Sequence, residues 1–278
     1  FSQQNIVVYT PNSHEGRHTF INRVNLGMSL LEEGGCLIVI SHKKSGAEYQ
    51  EEYLIERFGI TNLDETKKGR GGYRIFTVNK SVKHEAKEIR QPRNIIRFDI
   101  NGISVELQTE TGLFSPNDID RGTRTLLEVV GMEHLQNFQR LLDIGCGQGV
   151  IGVTSSLMNP DGEVVMTDVD AQAILVTRDN VLMQGLTNAT VVFTDNIAQD
   201  VEGRFDLILS NPPFHADYST LRHIFQNARI KLARGGSLFI VVEASFVNKF
   251  IDILTEVFGK VDQCIDANNG YFVLNFNS

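Results

Sequence analysis

A short segment, Asn211-Pro212-Pro213-Phe214, follows an apolar run that predicts a β-strand, Leu207–Ser210. The carboxamide oxygen of Asn211 and the carbonyl oxygen of Pro212 can accept the two N–H groups of one planar amine and turn its lone pair toward an electrophile. The prolines stiffen the turn, so both acceptors are fixed before the amine arrives. The ring of Phe214 offers a face for a stacked base, an interaction worth about 1–3 kcal/mol. The segment predicts alkylation of a weakly nucleophilic exocyclic amine, and the alternative is a plain proline turn.

A glycine-rich loop at 143–149 also follows a predicted strand and precedes a predicted helix. Its glycines are Gly145, Gly147 and Gly149. Such glycines permit a tight turn and let the backbone approach a nucleotide-like ligand, a description that fits NAD as well as S-adenosylmethionine. A dinucleotide fingerprint needs Gly or Ala where this chain has Val150, and the carboxylate of Asp143 suits a ligand that carries an amino group. The loop therefore favours S-adenosylmethionine, with a plain strand-to-helix turn as the alternative.

Acidic residues follow the next two predicted strands. Asp168 lies about 20 residues beyond the glycine loop, a spacing that lets a carboxylate accept both ribose hydroxyls of a nucleoside. Asp170 is the second candidate for that role, although it is better placed to cap the following helix. Asp195-Asn196 can accept the 6-amino group of adenine, and the alternative there is a turn-forming pair. Together with the loop, these residues predict a binding site for a cofactor that contains adenosine.

The segment from residue 5 to residue 40 repeats the segment from residue 206 to residue 243. Pairs that lie 201 positions apart are Pro11 and Pro212, His14 and His215, Gly35 and Gly236, and Leu37 and Leu238. A constant offset across glycines and prolines indicates two copies of one α/β half-domain. The first copy reads Thr10-Pro11-Asn12-Ser13 where the second has the amine-binding segment, and it has no counterpart of the glycine loop. We therefore expect a degenerate, non-catalytic first copy that is truncated at its N-terminus.

Short apolar runs alternate with helical periodicity from Leu141 onward, which predicts a doubly wound α/β sheet. The runs are Leu141–Ile144, Val164–Thr167, Thr190–Thr194, Leu207–Ser210, Leu238–Val242 and Tyr271–Asn275. Between the copies, Ser81–Arg90 predicts a helix that ends before Pro92, and Asn101-Gly102 predicts the turn of a hairpin. The predicted organisation is a degenerate half-domain at 1–80, a basic linker with the hairpin at 81–110 and a catalytic domain at 111–278.

The net charge of −8 is unevenly distributed along the chain. From Lys67 to Phe98 there are ten basic and two acidic residues, so this segment carries +8 and the rest of the chain −16. Such asymmetry indicates contact with nucleic acid, and a solvated linker helix is the alternative. The three cysteines are far apart without metal-ligand spacing, which predicts reduced thiols in a cytoplasmic protein with no structural metal. No apolar run is long enough to span a membrane, and no signal peptide is visible.

These motifs, with Gly112-Leu113-Phe114-Ser115, Asp120 and Gly122 ahead of the glycine loop, resemble those of small-domain methyltransferases that modify the 2-amino group of guanine in ribosomal RNA. His215 points to this branch, whereas glutamine methyltransferases of the same motif class usually carry Tyr in place of Phe214. The resemblance implies a Rossmann-like domain with a seven-stranded, mostly parallel sheet, preceded by an inactive duplicate. It also implies S-adenosylmethionine as the cofactor and ribosomal RNA or a ribosomal subunit as the partner.

The motifs and the resemblance together assign roles to individual residues. We expect Asn211, Pro212 and Phe214 to be catalytic, and Pro213, Phe214 and His215 to bind the substrate. The expected cofactor-binding residues are Phe114, Asp143, Gly145, Gly147, Gly149, Asp168, Asp195, Asn196 and Asn211. The alternatives are methylation of a protein glutamine, methylation of an adenine amino group in DNA or RNA, and a non-catalytic role in RNA binding or assembly.

Overall fold

Strands and helices alternate in two separate stretches of the chain in this computed structural model. It describes residues 4–11, 17–59, 63–65, 72–80, 93–110, 113 and 115–278. The chain divides into two units, Phe1–Arg93 and Asn94–Ser278. The predicted helix at 81–90 and Phe114 lie outside the described residues. Within the described ranges, no helix is long and apolar enough to cross a membrane, and no group of three or more His, Cys, Asp or Glu side chains could hold a metal ion.

The first unit is a four-stranded sheet with two helices. Its elements are β1 (Gln4–Tyr9), α1 (Arg17–Leu30), β2 (Leu31–His42), α2 (Ala47–Phe58), β3 (Leu63–Glu65) and β4 (Tyr73–Asn79). The strand order is β1-β2-β4-β3; β1 and β2 are parallel, and the other two pairings are antiparallel. Phe20 of α1, Leu54 of α2 and Leu37 of β2 are fully buried in one core. Both helices therefore bury apolar side chains against the sheet.

The second unit is a seven-stranded sheet with helices on both faces and a separate hairpin. Its elements are β5 (Asn94–Ile100), β6 (Ile103–Thr109), α3 (Arg121–Leu135), β7 (Arg140–Ile144), α4 (Val150–Met158), β8 (Glu163–Asp168), α5 (Ala171–Met183), β9 (Ala189–Phe193), α6 (Ile197–Asp200), β10 (Phe205–Ser210), α7 (Tyr218–Lys231), β11 (Leu232–Glu243), α8 (Val247–Phe258), β12 (Gln263–Asp266) and β13 (Tyr271–Asn277). The sheet order is β12-β13-β11-β10-β7-β8-β9. All neighbours from β11 to β9 are parallel, while β13 is antiparallel to both β11 and β12. The predicted doubly wound, mostly parallel sheet is confirmed.

Successive residues of the central strands enter two different cores, because strand side chains alternate between the faces of a sheet. Leu141 faces a core shared with α3, α4 and the hairpin, whereas Leu142 faces a core shared with α7 and α8. Burial on both faces explains why these strands read as continuous apolar runs. Because these strands are parallel, the polar residues that follow them lie together at the carboxyl ends of the strands.

The internal repeat is present in three dimensions, as predicted. The elements β1, α1, β2 and α2 correspond to β10, α7, β11 and α8, and α1 and α7 begin 201 positions apart at Arg17 and Tyr218. The strand registers match at the same offset, since Val7 pairs with Leu37 and Ile208 pairs with Leu238. Both pairs also shift register after their first residue. Among the described residues, the first unit has no counterpart of β7, β8 or β9.

The predicted hairpin forms around Asn101 and Gly102, which both have positive φ angles of 48° and 83°. The sequence grouped this hairpin with the linker at 81–110, but the structure packs it onto the second unit. Phe98 and Leu107 are buried in the same core as Leu126 of α3. The boundary between the units therefore falls before the hairpin, because its apolar face needs the core of the second unit.

Candidate functional site

A cavity of about 760 Å³ opens at the carboxyl ends of the parallel strands of the second unit. It lies where the strand order reverses, with β8 on one side of β7 and β10 on the other. Ligands of doubly wound sheets bind at such a reversal. The wall contains most of the residues that the sequence singled out: Gly145, Gly147, Asp168, Asp195, Asn211, Pro212, Pro213, Phe214 and His215.

The glycine loop presents bare backbone to this cavity. Gly145 and Gly147 have φ angles of 75° and 56°, which residues with a side chain rarely adopt. A Cβ atom built on either residue meets no other atom within 4 Å, so the space beside them is open. The N–H groups of Gly145 and Cys146 donate to the carbonyl of Thr167 at 2.9 Å and tie the turn to β8. The loop is thus a fixed cradle with room for a ligand.

Asp168 ends β8 and fastens the glycine loop. Its Oδ2 accepts from the N–H of Gly147 at 2.8 Å, and its Oδ1 accepts from the N–H of Asp170 at 2.8 Å. Burial raises the pKa of Asp168, while these two N–H groups act in the opposite direction. The side chain remains partly accessible on the wall of the cavity. This position is compatible with the predicted role of Asp168 as an acceptor of ligand hydroxyl groups, which stays a prediction.

Two apolar residues of the wall were missed by the sequence reading. Val169, directly after Asp168, is 66% exposed, and Ile197 begins α6. An exposed valine on the wall of a cavity can cover one face of a flat ring. The available signal was an apolar residue one or two positions after each predicted acidic residue, Asp168 and Asp195. Asp195, which the sequence did predict, lies on the wall close by, and its carbonyl contacts Nε2 of His223 at 3.0 Å.

Asp143 lies beneath the glycine loop and is not part of the cavity wall. It is fully buried, and its Oδ2 accepts from the N–H of Gly152 at 3.0 Å. Its Oδ1 has no hydrogen-bond partner among the described residues. Burial raises the pKa of Asp143 to about 8; the Gly152 N–H opposes this shift, and the charge of Asp168 adds to it. Gly149 and Asn196 are also off the wall, where they precede α4 and α6.

Asn211 is held by groups from the start of α3. Its Nδ2 donates to Oδ2 of Asp120 at 2.9 Å and to Oγ1 of Thr123 at 2.8 Å. Asp120 is itself the N-cap of α3 and accepts from the N–H of Thr123 at 2.8 Å. No described group donates to Oδ1 of Asn211. One acceptor oxygen therefore stays available on the cavity wall.

Phe214, on the cavity wall, belongs to an aromatic cluster. Its ring centroid lies 6.3 Å from that of Phe246 at an interplanar angle of 27°, and 6.4 Å from that of Tyr271. The ring of His215 meets Phe246 edge-on at 4.8 Å. The sequence identified Phe214 and His215, but not Phe246 or Tyr271, which come from later elements. The cluster offers apolar ring surface beside the acceptors of Asn211 and Pro212.

Comparisons with known proteins identify the family of this chain. Residues 104–275 match the family model of the methyltransferase small domain. The chain is 34% identical over 236 residues to a protein of Mannheimia succiniciproducens named ribosomal RNA small subunit methyltransferase C, covering 81% of this chain and 65% of that protein. The Escherichia coli protein of the same name is 29% identical over 259 residues, covering 91% of this chain and 70% of its own length. The chain thus spans about two thirds of the length of these relatives.

A solved structure shares the fold over the whole chain. It is described as a T. thermophilus 16S rRNA N2 methyltransferase, RsmC, in complex with AdoMet and guanosine. Its TM-score is 0.75 at 24% sequence identity, and the match covers 100% of this chain and 74% of that chain. At this identity, the likeness establishes the fold alone. The chemistry has to be inferred from the residues of the cavity.

Proposed function

The chain belongs to the methyltransferase small-domain family, and from that premise we propose that it transfers a methyl group from S-adenosylmethionine to the 2-amino group of a guanine in the RNA of the small ribosomal subunit. The observation that carries the proposal is the arrangement of Asn211: its amide nitrogen is held by Asp120, and its oxygen is left available on the cavity wall beside Phe214. Relatives named for ribosomal RNA methylation support the choice of substrate.

The residues of the cavity fit S-adenosylmethionine. The open backbone at Gly145 and Gly147 leaves room for the amino acid part of the cofactor, which a Cβ atom at either position would invade. The carboxylate of Asp168 would accept its ribose hydroxyls, while Val169 and Ile197 would cover its adenine ring. When bound, the cofactor supplies a methyl group on a positively charged sulfur.

Positioning and electrostatics carry the proposed reaction. The Asn211 oxygen and the Pro212 carbonyl accept the two N–H groups of the guanine amine, so its lone pair points at the methyl carbon. The nitrogen–carbon bond forms as the carbon–sulfur bond breaks, and the nitrogen then releases one proton to water. Positive charge develops on the nitrogen during transfer, where the two fixed acceptors stabilise it. No general base is needed, because the nitrogen becomes acidic only as this charge develops.

RNA contact through the basic segment Lys67–Phe98 is part of the proposal, and most of that segment lies outside the described residues. Three of its described cations already have partners within the protein. Arg74 pairs with Glu51, Arg97 pairs with Glu106, and Lys80 donates to the carbonyl of Leu31. The free positive charge of the segment is therefore smaller than its sequence suggests. We propose that the basic segment nevertheless binds phosphate groups of the RNA.

The RNA contact is tested by salt dependence and charge reversal. Affinity for ribosomal RNA should fall steeply as salt rises, because bound cations leave the RNA when lysine and arginine side chains replace them. Reversing the charges of Arg90 and Arg93 should weaken RNA binding while the affinity for S-adenosylmethionine stays unchanged. If RNA affinity is also unchanged, the segment is a solvated linker.

The activity is tested by mapping modified nucleosides. Ribosomal RNA from cells with and without the gene is digested and analysed by mass spectrometry, and one 2-methylguanosine should be lost with the gene. Transfer of labelled methyl groups by the purified protein into small-subunit RNA is then compared with transfer into release factors and into DNA. Label in protein glutamine or in adenine would replace the proposal with one of the alternatives. A failure to bind S-adenosylmethionine in calorimetry would instead favour a non-catalytic assembly factor.

A further inference from the structure

Glu243 is a carboxylate on the cavity wall that the transfer chemistry does not use. It is the last residue of β11, it is half-buried, and it shares the cavity with Asn211 and Phe214. No described residue donates a hydrogen bond to its side chain or forms an ion pair with it. The acceptor oxygens of Glu243 are therefore available to a ligand in the cavity.

The strand register places Glu243 beyond the end of β10, where the amine acceptors lie. Ser210, the last residue of β10, lies beside Ile240, and β11 continues from there to Glu243. Neighbouring strands are about 4.8 Å apart. The carboxylate therefore stands next to the turn that carries Asn211, one strand further along the edge of the sheet.

Tyr271 lies beside Glu243 and also contacts Phe214, on which the base is proposed to stack. Tyr271 and Glu243 are directly opposite each other in the β11–β13 pair. The pKa of Tyr271 is raised by burial and further by the negative charges of Asp120 and Glu243. Both carboxylates thus lie near the same hydroxyl group, and the ring of Tyr271 belongs to the cluster around Phe214. Glu243 is therefore on the side where the base would stack, away from the glycine loop.

Comparison with the first unit indicates that the carboxylate of Glu243 is not part of the framework that the two copies share. The position of Glu243 corresponds to His42, and Tyr271 corresponds to Tyr73, which pairs with His42 in the same antiparallel register. The tyrosine is retained, whereas the carboxylate is lost, as is the carboxamide of Asn211. In the first copy Nδ1 of His42 accepts from the N–H of Lys44, so this side chain makes a local hydrogen bond to the backbone. The fold does not need a carboxylate at this place.

We infer that Glu243 is a specificity-determining residue that accepts the N1–H group of the target guanine. The inference rests on the proposed function. In guanine the N1–H lies directly beside the 2-amino group, so a base whose amine is bound by Asn211 presents this second donor to a neighbouring acceptor. A carboxylate only accepts hydrogen bonds. Adenine has a bare N1 atom beside its amino group, and a glutamine side chain has a carbonyl oxygen there; both would face the carboxylate with a lone pair.

The test uses RNA oligonucleotides that span the mapped target nucleotide and carry guanine or 2-aminopurine at that position. 2-Aminopurine has the same 2-amino group but no hydrogen on N1. The wild-type protein should prefer guanine by about 10- to 100-fold in kcat/KM, the range of one good base contact. In Glu243→Gln the side chain can either accept from N1–H or donate to a bare N1, so the preference should fall to a few-fold at most. Glu243→Ala should lose guanine methylation without gaining 2-aminopurine methylation.

Controls separate this inference from folding and from the proposed function. Glu133→Gln removes one negative charge from an exposed site on α3 and should keep the wild-type preference. All variants should bind S-adenosylmethionine and unfold at the same midpoint as the wild type. Equal use of both oligonucleotides by the wild type, or an unchanged preference in Glu243→Gln and Glu243→Ala, overturns the inference while guanine methylation stands. Absence of methyl transfer to any guanine overturns the proposed function and the inference together.

Discussion

The side-chain amide of Asn211 donates from Nδ2 to Oδ2 of Asp120 at 2.9 Å, although the two residues are 91 positions apart. The same carboxylate oxygen accepts from the N–H of Thr123 at the start of α3. Because a carboxylate only accepts, the nitrogen of the Asn211 amide must face Asp120 and its oxygen must face away. The N-cap of one helix therefore sets the direction in which the proposed amine acceptor points.

Removing the Asp120 carboxylate should disturb the orientation of the Asn211 amide and leave cofactor binding unchanged. In Asp120→Ala the amide of Asn211 can rotate, and a small misplacement of an acceptor can cost about 100-fold in rate. We expect kcat to fall about 10- to 100-fold, while calorimetry gives an unchanged affinity for S-adenosylmethionine. Loss of the cap itself should lower the free energy of unfolding by about 1 kcal/mol. Asp217→Ala, which removes the cap of α7, is the matched control and should keep its kcat. Equal losses of kcat in both variants would assign the effect to capping alone.

Removing the amine acceptor should abolish methyl transfer and leave the cofactor site intact. We expect Asn211→Ala to lower kcat by about 1000-fold, within the range lost with one preorganised group that stabilises developing charge. Asn211→Asp should fail as well, because its carboxylate would face that of Asp120. The internal repeat supplies a control: Thr10→Ala changes the corresponding position of the first unit and should have no effect on transfer. Near-normal turnover of Asn211→Ala would refute the proposed mechanism.

The architecture was readable from the sequence because it depends on local patterns and on one repeat. Buried parallel strands are uninterrupted apolar runs, so β7 to β11 and β13 stood out. The offset of 201 between Pro11 and Pro212 predicted corresponding elements, and the matching registers of β1–β2 and β10–β11 confirm them. The glycine loop and the segment at 211–214 were visible because their residue types are rare outside such turns.

Contacts between distant parts of the chain could not be read in this way. The sequence placed Asp143 at the cofactor, but a carboxylate at the end of a strand can point into the cavity or beneath the loop, and only packing decides. The same holds for Glu243 and Tyr271, which meet through strand pairing late in the chain. The sequence of the hairpin alone does not show which core covers its apolar face, so its grouping with the linker could be corrected only by the structure.

Asp168 should control cofactor affinity and not the chemical step. Its two oxygens hold the N–H groups of Gly147 and Asp170, so its loss loosens the loop and removes the acceptor for ribose hydroxyls. We expect Asp168→Ala to weaken binding of S-adenosylmethionine about 10- to 100-fold, the cost of one or two hydrogen bonds to a charged group. At saturating cofactor, kcat should stay within a few-fold of the wild type. Asp161→Ala, an exposed change ahead of β8, should alter neither quantity, and tight binding by Asp168→Ala would contradict the assignment.

The buried carboxyl group of Asp143 should make the free protein less stable as the pH rises. Its pKa is about 8 in the folded state, raised first by burial, against about 4 in an unfolded chain. Between these values the folded state holds a proton that the unfolded state has released, so the free energy of unfolding falls with increasing pH. Asp143→Asn has no such proton, and its stability relative to the wild type should therefore increase steadily from pH 5 to pH 8, as measured by urea unfolding.

Asp217→Asn should show the opposite sign at lower pH, because hydrogen bonds from Ser219 and Thr220 lower the pKa of Asp217 to about 2. Parallel curves for the wild type and Asp143→Asn would mean that Asp143 is ionised in the folded protein and that its Oδ1 has a partner, such as a buried water molecule.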